Sequence, residues 1–78
     1  MRTKELKLII TFKSTTAAMG FETYCKQNQI PGRLIPIPRE ISAGCGLSWC
    51  TEPANRPIID KIIQTQQINI DGMYELLI

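Results

Sequence analysis

Leu6-Lys7-Leu8-Ile9-Ile10-Thr11-Phe12-Lys13 decides the fold of this chain. Leu6, Leu8, Ile10 and Phe12 recur at every second position, and Lys7, Thr11 and Lys13 fall between them. A period of two sends the two sets to opposite faces, so the segment reads as a half-buried strand. Ile9 breaks the polar set, which predicts that this second face is not fully exposed either.

Reading outward, Ser14-Thr15-Thr16 supplies hydroxyls suited to cap a helix. Ala17, Phe21, Tyr24, Cys25 and Asn28 then share one helical face, with Ala18 at its edge. Cys25 fits this stripe and is expected to face the core. Pro31-Gly32 suits the centre of a type II turn and is expected to end the helix. Arg33 to Ile37 reads as a second strand, and Pro36 and Pro38, which cannot donate to a ladder, predict a sheet edge. Leu47 to Thr51 reads as a third strand, with Leu47 and Trp49 toward the core and Ser48 and Cys50 opposite. Pro53 and Pro57 bracket a second helix start with Thr51 or Asn55 as cap. Ile58, Ile59, Ile62 and Ile63 form its apolar stripe, and Gln64 to Gln67 carries it into solvent. A turn near Asp71-Gly72 leads to a last strand, Met73 to Ile78.

Strand, helix, strand, strand, helix, strand is the split βαββαβ order of a ferredoxin-like α+β sandwich. That fold predicts a four-stranded antiparallel sheet with the first and third strands central, the second and fourth at the edges, and two helices on one face. The other face is expected to be open, with Ile9 and Leu77 as an apolar patch for a partner or a second copy in a homodimer.

Seventy-eight residues make a single domain, residues 1–78, whose core is thin. A chain this short buries about 60–65% of its unfolded surface and can gain stability from oligomerisation. The net charge of +2, spread along the chain, does not predict nucleic-acid binding. The sequence has no histidine, which excludes Cys-His and Ser-His-Asp nucleophile arrangements. Three cysteines cannot complete a four-ligand zinc site within one chain unless a carboxylate or a second subunit helps. No metal and no cofactor is implied. The odd cysteine count argues against a secreted disulfide framework. Arg2 and Lys4 precede apolar residues, but Glu5, Lys7 and Lys13 interrupt any signal-peptide core. No apolar run approaches a membrane span. The chain is expected to be cytoplasmic, without a membrane partner.

Chemistry concentrates in Arg39-Glu40-Ile41-Ser42-Ala43-Gly44-Cys45-Gly46-Leu47-Ser48-Trp49-Cys50. Cys45 lies between two glycines, among small and polar residues that do little to shield a thiol. Glycine permits φ > 0, so the backbone can turn its N–H groups toward one side. Such groups favour the thiolate, the reactive form of cysteine. The expectation is an exposed, activated Cys45 at a loop tip, supported by Arg39, Ser42, Gly44 and Gly46, with Cys50 as a second thiol. The competing reading is a hairpin turn whose cysteine is inert, since free cysteine is often buried.

The stretch from Pro31 to Leu47, with its Pro-x-Pro-Arg-Glu-Ile-Ser-Ala-Gly-Cys-Gly run at Pro36 to Gly46, resembles the hallmark of a small bacterial family of selenium/sulfur carrier-like proteins. The Phe-x-Ser-Thr opening of the first helix, Phe12 to Thr15, belongs to the same resemblance. The resemblance implies that Cys45 holds sulfur or selenium as a persulfide or perselenide, taken from a donor such as a cysteine desulfurase and passed to an acceptor protein. It implies a carrier more than a stand-alone enzyme, and it assigns no role to Cys25 or Cys50.

Three other readings stand beside it. One is a redox switch joining Cys45 and Cys50. If residues 45–50 are extended, their Cα atoms lie roughly 16 Å apart, whereas a disulfide needs about 4.4–6.8 Å. Another is a non-covalent interaction module that docks through the sheet face, using Ile9 or Trp49. The last is a metal chaperone of the same fold. Those place Cys-x-x-Cys after the first strand, where this chain has Lys13-Ser14-Thr15-Thr16.

Overall fold

The computed structural model describes residues 4–41 and 45–78. The elements follow the expected order: β1 (Leu6–Thr11), α1 (Thr15–Gln27), β2 (Arg33–Pro36), β3 (Leu47–Thr51), a 3-10 turn (Pro53–Asn55), α2 (Arg56–Thr65) and β4 (Gly72–Leu77). All three strand pairings are antiparallel, and the order across the sheet is β2-β3-β1-β4. The fold is therefore α+β of ferredoxin-like type, with β1 and β3 central. Pro36 lies in edge strand β2, where a missing N–H donor is tolerated. The opposite edge, β4, contains no proline.

Helix α1 starts where a hydroxyl cap was expected: Ser14 Oγ accepts the Ala17 N–H at 3.1 Å. Such a cap contributes about 1 kcal/mol. The helix ends before Pro31-Gly32. Gln29 takes φ 56°, and the Ile30 N–H returns to the Cys25 carbonyl at 2.8 Å. This left-handed closure uses up helix-end carbonyls without any proline. Asn28 leaves the apolar face and caps instead, its Nδ2 donating to the Tyr24 carbonyl at 2.8 Å. Asn55 precedes α2 but spends its side chain on Thr51 Oγ1 at 2.9 Å, and that hydroxyl donates to the Pro31 carbonyl at 2.7 Å.

The main core lies between the helices and one sheet face. Leu8, Ile10 and Phe12 meet Trp49 from β3, Ala18, Phe21 and Cys25 from α1, and Ile59 and Ile62 from α2. Phe21 joins the two layers, with ring centroids 5.4 Å from Phe12 and 5.6 Å from Trp49, the latter edge-on. Aromatic pairs in such geometry add about 1 kcal/mol beyond their buried area. Ile58 points outward, 46% exposed, so the buried stripe of α2 is narrower than the sequence implied.

The helix-free face is not open. Ile9 is fully buried there, flanked in register by Cys50 on β3 and Tyr74 on β4. Ile41 lies over Ile9 and Cys50, with Ile35, Ile37 and Leu76 around them. A turn closed by the Ile41 N–H on the Pro38 carbonyl, at 3.0 Å, brings the post-β2 segment back over the sheet. The expected patch of Ile9 and Leu77 does not form. Leu77 pairs with Leu6, whose parity belongs to the helix side, and the β4 residues on the helix-free face are Tyr74 and Leu76.

Candidate functional site

Cys45 sits just before β3, beside the end of β1. Its backbone N–H donates to the Phe12 carbonyl at 3.0 Å. That bond fixes the residue to the sheet, and the same N–H cannot serve a sulfur anion. Its side chain is half-buried and packs against the helix-side core, with Sγ 3.9 Å from the Leu47 carbonyl oxygen. Cys45 is thus an anchored thiol with one side in solvent, where the sequence suggested an exposed loop tip.

Gly46 follows with φ 95°, a conformation that favours glycine. Its carbonyl accepts the Ile37 N–H at 2.9 Å, which extends the β2–β3 ladder by one bond. Among the described residues, a methyl group built at Gly46 meets nothing within 4 Å. Arg39 is exposed in the turn before Ile41 and makes no ion pair among the described residues. Ser42 and Gly44 lie outside the described residues.

The other two thiols are buried. Cys25 is in the main core, and burial pushes its pKa up to about 11. Cys50 is 8% exposed on the helix-free face. Burial raises its pKa as well, against the opposing pull of Lys7 and Arg33. Both are held as thiols at neutral pH, which makes them poor nucleophiles. Cys45 packs with the helix-side cluster and Cys50 with the opposite one, so the sheet separates them. Among the described residues no group of three or more Cys, Asp or Glu could hold a metal, and no helix is long and apolar enough to cross a membrane.

Sequence reasoning did not identify Phe12 as the anchor of Cys45, because a backbone carbonyl leaves no mark in residue type. The cations beside Cys50 did leave a mark. Lys7 shares the parity of Ile9 on β1, and Arg33 is the cross-strand partner of Cys50. The burial pattern predicts that a limiting amount of iodoacetamide at pH 7.5 alkylates Cys45 first. Peptide mass mapping that finds Cys25 or Cys50 modified at an equal rate would contradict it.

A family model described as "Putative Se/S carrier protein-like" matches residues 7–75 of the chain. No curated protein matches, and no solved structure matches.

Proposed function

The chain belongs to that family, and from this premise we propose that Cys45 accepts sulfur or selenium as a persulfide or perselenide and hands it to an acceptor protein. One observation carries the reading: of three cysteines, Cys45 alone is not buried. Its thiolate attacks the terminal sulfur of a persulfide on a donor protein such as a cysteine desulfurase. An S–S bond forms at Cys45 as the donor's S–S bond breaks, and the electron pair leaves on the donor's thiolate. The acceptor's thiolate then attacks the new terminal sulfur in the same way, returning Cys45 to a thiolate. Each step is a thiol–disulfide-type exchange, whose rate depends on thiolate fraction and access. The empty space beside Gly46 among the described residues supports that access. The hydrogen bond from the Cys45 N–H to the Phe12 carbonyl supports a fixed position for the residue at the sheet.

The test is intact mass without reductant after incubation with a cysteine desulfurase and cysteine, or with the desulfurase and selenocysteine. One added chalcogen atom is expected, lost in Cys45→Ser and kept in Cys50→Ser. A loss of two hydrogens requiring both cysteines would replace the carrier with a redox switch. No mass change in wild type would remove both.

A further inference from the structure

Among the described residues six large apolar side chains are exposed, and four of them gather at one edge of the sheet. They are Tyr74 and Leu77 on β4, Ile78 just after it, and Leu6, the β1 partner of Leu77. The main-chain phase of this edge is fixed at its end, where Glu5 and Ile78 exchange both N–H···O bonds, each at 3.1 Å. In an antiparallel pair such residues alternate with ones whose main-chain groups point away from the partner strand. Counting back along the register, Leu76 and Tyr74 bond to β1, while the N–H and C=O groups of Leu77, Glu75 and Met73 face outward. The strand carries no proline and no lysine, and its register runs without a bulge, so none of these devices blunts the edge.

A second β4 fits this edge in one register. Two copies related by a two-fold axis pair antiparallel, and outward-facing residues must meet outward-facing ones, so the axis passes through a residue. At Glu75 it would set two carboxylates directly opposite each other, which is unfavourable. At Tyr74 it would set Leu77 against Asp71 of the turn. At Leu76 the side chain meets its own copy, Tyr74 meets Ile78, and Glu75 meets Leu77. This last register gives Tyr74 and Ile78 apolar cross-strand partners. It also leaves Glu75 with its own cation, Arg56, at 2.8 Å.

We propose that the chain forms a homodimer by antiparallel pairing of β4 with β4 of a second copy, centred on Leu76, which joins two four-stranded sheets into one. Cys45 is tethered to Phe12, at the far end of β1 from Leu6, and lies outside the paired segment. The dimer does not depend on the carrier reading.

Sedimentation equilibrium of the full chain over a concentration series is expected to show a monomer–dimer equilibrium. Leu77→Pro deletes one outward donor per copy and keeps the bonds to β1. Leu77→Lys places a charge on the edge. Each should weaken association by about tenfold or more, the scale of two lost hydrogen bonds. Far-UV circular dichroism and Trp49 fluorescence should stay as in wild type. In a Cys45→Ser background, Leu76→Cys should give a disulfide-linked dimer on air oxidation, because Cα atoms of a facing pair without mutual hydrogen bonds lie about 4.5 Å apart. Glu75→Cys in the same background should cross-link more slowly. The proposal is overturned by a monomer at every concentration, by a dimer that both Leu77 variants retain in full, or by cross-linking of Glu75→Cys in preference to Leu76→Cys.

Discussion

Gly32→Ala is expected to destabilise the fold by about 3 kcal/mol, the sum of overpacking and a strained backbone. Gly32 has φ 142°, a region that residues with a side chain rarely adopt. A Cβ at this position would lie 2.6 Å from Cε2, Cζ2 and Nε1 of Trp49. The indole cannot move aside easily, because it is 1% exposed and held edge-on against Phe21. Its Nε1 has no hydrogen-bond partner among the described residues, so displacement is resisted by packing alone. Urea unfolding followed by Trp49 fluorescence measures the effect. Since the sequence holds a single tryptophan, the spectrum also reports whether the ring has moved. An alanine variant with wild-type midpoint and spectrum would show that the glycine is not required for this contact.

Ile41→Ala is expected to cost about 2 kcal/mol, the low end for truncating a buried isoleucine, because the cluster it covers is small. Its more specific consequence concerns Cys50. Ile41 is 6% exposed and lies over Ile9 and Cys50, so shortening it opens the helix-free face while the helix-side core keeps its contacts. Alkylation of Cys50 should accelerate and that of Cys25 should not. Peptide mass mapping over a time course distinguishes the two. Equal acceleration at both cysteines would indicate global loosening, and no acceleration at either would show that Ile41 does not cover the face.

Most of the architecture was legible because this chain uses period-two and helical patterns with little ambiguity. Leu8, Ile10 and Phe12 on one side of β1, and Leu47 and Trp49 on one side of β3, fixed which face meets the helices. The prolines placed β2 at an edge. The helix-free face was misread for a physical reason. Ile9 and Cys50 indicated a second apolar surface, but its cover comes from Ile41, a residue in no regular element. Periodicity cannot detect an isolated side chain on a turn. The end of α1 was misplaced because Gln29 takes a left-handed conformation that glycine or asparagine would have advertised. At the site, the identity of the accessible cysteine was legible from its small neighbours. Its tether to Phe12 was not, and that tether turns an anticipated free loop into a seated residue.

The two ends of the sheet also differ in what they permit. β2 ends its row with Pro36, while the outer rim of β4 carries an uninterrupted run of main-chain donors and acceptors. Growth by strand pairing is thus favoured at one rim and hindered at the other.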